Sequence, residues 1–188
     1  MKTTTKKLTY GALIVACAIV LPQLFHLSGI PNTGAVFLPM HIPVLLGGFI
    51  LGPVFGFFVG VLAPVVSSLL TQMPPPARLP FMIVELAGYG FAAGLLYQKL
   101  GLYRKKFGIY ISLTVAMLVG RVLYTVAAVF ATYVLHIAGA GGVLAAVNAT
   151  VTGASGIAIQ YMFIPPLVYA LRKAGMLDEF LGNGKKSA

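Results

Sequence analysis

Acidic side chains are almost absent from this chain of 188 residues, and charged residues of either sign are scarce. Only three residues are Asp or Glu, and all charged types together make up 9% of the sequence, whereas 59% is hydrophobic. A soluble domain needs about 25% charged residues to solvate its surface. With a mean hydropathy of +0.97, the chain is predicted to be an integral membrane protein, with residues 1–188 forming a single domain.

Thiol and imidazole ligands are also too few to build a metal site. Cys17 is the only cysteine, which excludes an intrachain disulfide and a cysteine-rich metal site. The three histidines, His26, His41 and His136, lack the spacing of metal ligands. The sequence therefore predicts neither a metal nor a cofactor.

Residues that would support an enzyme are sparse as well. No aspartate lies within a long apolar segment, which excludes the paired aspartates of an intramembrane protease. Ser67 or Ser68 could be a nucleophile with His41 as its base, but no third group is apparent. The run 182–187 superficially resembles a phosphate-binding loop, yet Glu179 occupies the position of an earlier required glycine. A membrane enzyme is therefore the least favoured function class for this chain.

Six apolar segments are each near the length that an α-helix needs to cross a bilayer. The stretch from Val36 to Leu70 cannot be one helix, because its 35 residues at ~1.5 Å rise would extend about 52 Å. Gly52-Pro53 divides it, since glycine can close one helix and proline fits the first turn of the next. The predicted fold class is an all-α membrane protein with six transmembrane helices. The segments are residues 8–25, 36–51, 54–70, 79–97, 107–133 and 147–171.

Most of the basic residues lie in three clusters beside these segments. Eleven of the thirteen precede the first segment, follow the fourth or follow the sixth. The opposite side has only Arg78, and Arg121 lies inside a segment. The positive-inside rule then places the N-terminus, the C-terminus and the 98–106 loop in the cytoplasm, with the chain in the plasma membrane. The clusters suit the anionic lipids of that leaflet rather than nucleic acid. Their members are Lys2, Lys6, Lys7, Lys99, Arg104, Lys105, Lys106, Arg172, Lys173, Lys185 and Lys186.

The connections on the non-cytoplasmic side are rich in turn formers. Residues 26–35 and 71–78 combine polar atoms with proline or glycine, and residues 137–146 are rich in glycine and alanine. They are either lids over an outward-facing site or ordinary helix connections. On the cytoplasmic side, residues 174–181 form a short amphipathic piece that is expected to lie at the membrane interface.

Small residues recur at helical spacing in two places. Glycine occupies every fourth position from Gly48 to Gly60, across the predicted hairpin. Such residues let helix backbones approach closely in lipid, so internal packing is expected there. Ala12 and Ala16 give the first helix a smooth face, which either packs internally or docks another membrane protein. The spacing does not choose between these two roles.

Two residues of opposite charge, Glu85 and Arg121, lie inside predicted helices. A charge in the bilayer core costs at least ~2.5 kcal/mol, and such residues usually face a bundle interior or a wet cavity. Counted from Tyr97 and Phe107 at the cytoplasmic ends, they lie about 18 Å and about 21 Å deep. They form a structural ion pair or contact a ligand, with Arg121 offering a bidentate fork to a carboxylate, and both can hold if a ligand competes for Arg121.

Other polar side chains are concentrated toward the outer half of the predicted bundle, which favours an outward-facing pocket. Tyr124 lies three residues beyond Arg121 and can share its helix face. Ser67, Ser68 and Thr71 end the third helix, whereas Thr150, Thr152 and Ser155 begin the sixth. Each alone is explained by a helix cap or a hydroxyl bonded to its own backbone. The candidate substrate-binding residues are Arg121, Glu85, His41, Asn148, Tyr89, Tyr124 and Gln160.

The run Phe37–Gly56 resembles the second and third helices of the substrate-binding S components of energy-coupling factor (ECF) transporters. Met73-Pro74-Pro75, the run from Val84 to Gly90 and the six-helix plan fit the same family. The resemblance implies that the chain binds a vitamin or related micronutrient from outside. It also implies a transmembrane coupling subunit and two cytoplasmic ATPase subunits as partners in an ABC-type importer, and a reorientation of the S component in the bilayer to release its cargo.

The resemblance also assigns a role to the smooth face of the first helix. The family's alanine motif, which contacts the coupling subunit, matches Ala12 and Ala16 here. The family's binding sites involve the outer parts of helices four to six, where Glu85, Arg121 and Asn148 lie, although no residue motif is shared. The deep cation favours a carboxylate-bearing cargo such as nicotinate or pantothenate, whereas Glu85 could equally contact a cationic or amino-bearing one.

Two function classes compete with this interpretation. A stand-alone secondary transporter or channel would drive uptake by an ion gradient alone, with Glu85 carrying protons; the chain is short for that and shows no convincing inverted repeat. A membrane enzyme would lose activity when His41 or Ser68 is replaced. The leading prediction is an S component without catalysis of its own, in which ATP is hydrolysed by partner subunits.

Overall fold

The computed structural model of the chain describes residues 3–27, 29, 33–137, 142–177 and 180–181. Helices are the only regular secondary structure within this part of the chain. Six stretches are long and apolar enough to cross a membrane, which confirms the predicted all-α fold. They are Thr4–Phe25, Thr33–Leu51, Pro53–Thr71, Leu79–Lys99, Gly108–Tyr133 and Ala154–Lys173.

The described residues form eight α-helices and two short turns of other helix types. A π-helical turn at Leu95–Lys99 extends the fifth helix, and a 3₁₀ turn at Leu102–Arg104 follows it. The α-helices are α1 Thr3–His26, α2 Thr33–Phe37, α3 His41–Leu51, α4 Pro53–Thr71, α5 Leu79–Gly94, α6 Gly108–Tyr133, α7 Gly142–Thr152 and α8 Ala154–Lys173. The predicted phosphate-loop run 182–187, together with Glu179, lies outside the described residues.

Two of the predicted segments are interrupted. The segment expected at 36–51 breaks between α2 and α3, where Leu38 has φ +50°. Leu38 precedes a proline, and the residue before proline is sterically disfavoured from helical geometry. The segment expected at 147–171 breaks at Gly153, so that its membrane-length helix begins at Ala154. Glycine has the lowest helix propensity after proline, which explains the position of this second break.

The glycine series packs α3 and α4 against α5. A Cβ at Gly48 or at Gly56 would overlap the carbonyl oxygen of Gly90, and a Cβ at Gly60 would overlap that of Leu86. The three backbones are therefore in direct contact, and the packing role predicted for these glycines is confirmed. Gly52, between α3 and α4, has φ +91°, a conformation that favours glycine.

Four chain segments meet at one end of the bundle, which we call the basic end. Lys7 Nζ donates to Leu51 O (3.0 Å), joining the start of α1 to the end of α3. Gln98 Nε2 donates to the carbonyl oxygens of Phe49 (2.9 Å) and Ile50 (2.8 Å). At the end of α8, Arg172 Nη1 donates to the carbonyl oxygen of Tyr103 (2.5 Å). The connection 71–78 and residues 134–137 lie at the opposite end.

Residues 174–177, expected to form part of an amphipathic surface piece, form turns instead. Leu177 is fully buried, and Phe180 is buried against Tyr10, with ring centroids 5.6 Å apart. These two side chains hold the described part of the segment against the bundle, because removing apolar surface from water is favourable.

The first helix packs on α3 and α4 along one narrow stripe. Ala18 is fully buried, whereas Ala12, Leu13, Ala16 and Cys17 are exposed. The smooth face predicted from the alanine spacing therefore points away from the bundle. Internal packing does not use it among the described residues.

Candidate functional site

The two intramembrane charges predicted from sequence meet in the middle of the bundle. Arg121 Nη1 lies 2.9 Å from Glu85 Oε1, and Glu85 is only 3% exposed. Helices α5 and α6 approach closely here because Gly120 has no side chain to obstruct the ring of Tyr89. The ion-pair alternative is thus realised, and the contact joins α5 to α6.

Two further residues surround the same carboxylate. The Tyr89 hydroxyl donates to Glu85 Oε1 (2.9 Å), and His41 Nε2 lies 3.9 Å from that oxygen, beyond hydrogen-bond range. The rings of His41 and Tyr89 are 5.3 Å apart. We call His41, Glu85, Tyr89 and Arg121 the charged cluster; its members come from α3, α5 and α6.

The charged cluster contains buried donors that no side chain satisfies. Arg121 Nε and Nη2, and both ring nitrogens of His41, have no hydrogen-bond partner among the residues that the structure describes. Leaving a buried polar group unpaired costs ~1–3 kcal/mol, and more when the group is charged. Nε and Nη2 lie along one edge of the guanidinium, and their two N–H groups match the two oxygens of a carboxylate. Glu85 holds Nη1 and leaves that edge unpaired.

The interruptions of the second and last spans lie against each other beside this edge. A Cβ at Gly153 would lie 2.9 Å from Leu38 Cδ1 and 3.2 Å from Arg121 Nη2. One turn further on, a Cβ at Gly156 would lie 2.7 Å from the carbonyl carbon of Phe37. Binding sites in membrane transporters are commonly built from discontinuous helices, because their breaks place backbone and polar groups at membrane depth.

The remaining candidate residues lie apart from the charged cluster. Tyr124 is half-buried and its ring packs 6.0 Å from that of Phe81, one helical turn from Arg121. Asn148 is exposed on α7, and no contact joins it to the cluster in the described structure. Gln160 is buried with its Nε2 unpaired, but it lies seven residues beyond Gly153, about 10 Å toward the basic end.

The hydroxyl groups at the end of α4 hold the connection 71–78. Ser67 Oγ donates to Met73 O (2.7 Å), and Ser68 Oγ donates to Pro74 O (2.9 Å). Thr71 Oγ1 donates to Ser67 O (2.8 Å). These groups therefore shape a loop, which accounts for polar atoms that the sequence associated with a pocket.

Three members of the charged cluster are buried in this structure, whereas the Arg121 side chain keeps 15% of its surface exposed. His41 is 3% exposed and Tyr89 is 2% exposed, so the predicted outward recess does not open at these side chains. A cavity of about 250 Å³ lies nearby between α6 and α7, and its lining includes no member of the cluster. The residues that line it are Thr125, Val143, Ala146, Val147, Thr150 and Val151.

Sequence reasoning missed the glycines that shape the cluster. Gly120 makes room for Tyr89, and Gly153 lies against Arg121. The available signal was an isolated glycine within each predicted helix, a feature that often has a packing or functional reason.

The profile of a known family, described as the substrate-specific component of ECF transporters, matches residues 6–168. The chain belongs to this family. It is accordingly a multi-pass membrane protein and a substrate-binding component of a transporter, not an enzyme. No curated protein and no solved structure shows significant similarity to it.

The positions of Ser67, Ser68 and His41, the nucleophile and base that an enzyme would need, agree with family membership. In this substrate-specific component Ser68 bonds to a loop carbonyl, whereas His41 faces Glu85. No contact brings the two together within the described structure, so the geometry offers no activated nucleophile.

Proposed function

We propose that this substrate-specific component captures a small carboxylate-bearing vitamin or related micronutrient, and that the Nε–Nη2 edge of Arg121 binds the carboxylate. The proposal rests on one observation. Arg121 Nε and Nη2 are buried without a hydrogen-bond partner among the described residues, while Nη1 is held by Glu85. A carboxylate there would satisfy both donors with parallel hydrogen bonds. Nicotinate-like and pantothenate-like molecules have this chemistry.

The rest of the charged cluster orients the arginine before cargo arrives. Glu85 fixes the guanidinium, and Tyr89 fixes Glu85 through its hydroxyl. Pre-organised groups lose less conformational entropy on binding, which strengthens affinity. His41 adds one donor and one acceptor in its neutral form, and these suit a second polar group of the cargo.

Cargo reaches the cluster when α2 moves away from α8, since His41, Glu85 and Tyr89 are buried. The contact between them is polar and small: Ser155 Oγ donates to Val36 O (3.2 Å), and Gly156 lies against Phe37. The 71–78 connection, by contrast, is tied to α4 by Ser67 and Ser68. Entry on the α2 side is therefore the simpler path.

Features of the molecular surface support the proposed orientation and partners. The basic end, with Lys7, Lys99 and Arg172, faces the cytoplasm under the positive-inside rule. The exposed Ala12 and Ala16 dock the coupling subunit, because small residues allow another helix to approach closely in lipid. Two ATPase subunits then drive release of the cargo.

Mass spectrometry of small molecules that co-purify with the full chain tests this function. We expect a carboxylate-bearing compound with wild-type protein and its loss from Arg121→Ala. A compound without a carboxylate, retained equally by both proteins, would contradict the proposed clamp. Ion-gradient-driven uptake into vesicles that contain this chain alone would instead support a stand-alone secondary transporter.

A further inference from the structure

A second cavity, of about 400 Å³, lies at the basic end and is separate from the charged cluster. It opens between the start of α1, the α3–α4 turn, the π-helical turn after α5 and the described C-terminal residues. The residues that line it are Lys7, Leu51, Gly52, Pro53, Val54, Phe55, Gln98, Lys99, Phe180 and Leu181.

Two ammonium groups share this cavity. Lys7 is half-buried; its Nζ donates to Leu51 O (3.0 Å) and lies 5.8 Å from the ring centroids of Phe55 and Phe180. That hydrogen bond uses one of three N–H groups. Lys99 is exposed at the rim, and two like charges beside one cavity repel each other. An anion placed between them would relieve the repulsion.

The described lining of the cavity contains no acidic residue to balance these charges. The whole chain has three acids, of which Glu85 is paired with Arg121 in the bundle centre. The other two, Asp178 and Glu179, precede Phe180 and lie outside the described residues. A double variant that neutralises both acids therefore tests whether they balance the charge of the two lysines.

We infer that this cavity binds the phosphate group of an anionic phospholipid such as phosphatidylglycerol. Lysine binds phosphate as a point charge, and basic pockets between helices at a membrane surface hold anionic lipid headgroups. The neighbouring Val54 is 59% exposed and offers an apolar surface to the acyl chains. Because Lys7 also ties α1 to Leu51, a bound headgroup would fasten the first helix to the α3–α4 turn.

Thermal unfolding of the full chain in an uncharged detergent tests the site. Short-chain phosphatidylglycerol should raise the Tm by a few degrees more than phosphatidylcholine does, because a ligand that binds only the folded state stabilises it. Lys7→Gln and Lys99→Gln should each lose at least half of this difference. Lys105→Gln, which removes an exposed lysine outside the cavity, should retain it.

Several outcomes would overturn the inference. An equal loss in Lys105→Gln would mean general attraction to surface charge, and equal shifts with both lipids would mean no headgroup site. If inorganic phosphate at millimolar concentration reproduced the shift, the ligand would be a soluble phosphate compound rather than a lipid. If Lys7→Gln does not fold, Lys99→Gln decides, since its side chain makes no described hydrogen bond within the bundle.

The acids next to Phe180 are tested with the same measurement. A double variant, Asp178→Asn with Glu179→Gln, should keep or strengthen the selective response to phosphatidylglycerol. A response that is seen in the double variant but not in wild type would show that these acids occupy the cavity, and the lipid site would be wrong.

Discussion

The two halves of the bundle are packed differently. Helices α3, α4 and α5 touch backbone to backbone through glycine, and 61% of the most apolar part of Thr33–Leu51 is buried. In α6 and in α8 the corresponding buried share is 28%. We refer to these as the tight half and the loose half. Close packing resists small displacements, whereas helices with few buried residues can shift at lower cost.

The charged cluster lies on the boundary between these halves. His41, Glu85 and Tyr89 belong to the tight half, whereas Arg121 and the neighbouring Gly153 belong to the loose half. The ion pair therefore joins a carboxylate of the tight half to a guanidinium of the loose half. A cargo that binds the free edge of that guanidinium contacts the half that can adjust, while the other half keeps its shape.

Disrupting the glycine contacts of the tight half should have the largest effect, a loss of folding stability. In Gly90→Ala the new Cβ would overlap the carbonyl oxygen of Gly56, so we expect a loss of stability of about 3 kcal/mol or more. The matched control is Gly11→Ala, whose Cβ would make only an ordinary contact, 3.6 Å from Leu51 Cδ1. Thermal unfolding in detergent measures both. Equal stability of the two variants would show that the glycine contacts are not the source of rigidity.

Removing the guanidinium should have the next largest effect, a loss of cargo affinity; because it also leaves Glu85 buried without its cation, thermal unfolding is measured beside binding. Arg121→Ala deletes two charge-assisted hydrogen bonds, worth together about 3 kcal/mol, and affinity should fall by about 100-fold. Arg121→Lys keeps the charge without the fork, and it should recover only part of the loss. Calorimetric titration with the co-purified compound measures this. Unchanged affinity in folded Arg121→Ala would contradict the carboxylate clamp.

A smaller effect is expected where the loose half contacts the clamp. Gly153→Ala would place a Cβ 3.2 Å from Arg121 Nη2, and the guanidinium must move by a few tenths of an ångström. We expect about a tenfold loss of affinity, about 1.4 kcal/mol. The neighbouring exposed Thr152→Ala serves as the control. If both variants bind cargo as wild type does, the helix break does not position the arginine.

Changing the outer face of α1 should have the smallest effect on the isolated chain. Ala12→Leu and Ala16→Leu add side chains to an exposed surface, so folding and cargo affinity should stay within about 0.5 kcal/mol of wild type. ATP-dependent uptake with the coupling and ATPase subunits should nevertheless be abolished. Loss of cargo binding in these variants would mean that the alanines are ordinary packing residues.

Much of the tight half could be predicted from the sequence. Glycines spaced four apart, such as Gly48 and Gly56, have one dominant role in lipid, and two opposite charges at equal depth tend to meet. Hydropathy also located six spans, because membrane thickness fixes helix length. The meeting of Glu85 with Arg121 was one of two alternatives that their similar depths left open, and the structure shows it.

Helix breaks and side-chain directions were harder to predict, in both halves. Hydropathy averages over many residues and does not register a break at one of them, so the interruptions at Leu38 and Gly153 were missed. The direction of a polar side chain depends on its packing neighbours, which is why Asn148 was grouped with the cluster although no described contact links them. Ser68 was similar, since its loop partner is six residues away.

The turn between α3 and α4 has a consequence for how deep it can lie in the bilayer. The carbonyl oxygens of Phe49 and Ile50 both accept from the amide of Gln98, so they need no water there. An exposed carbonyl carried into hydrocarbon would cost several kcal/mol. Because Gln98 satisfies these two acceptors, the hairpin apex can lie below the headgroups with neither carbonyl exposed to the lipid tails.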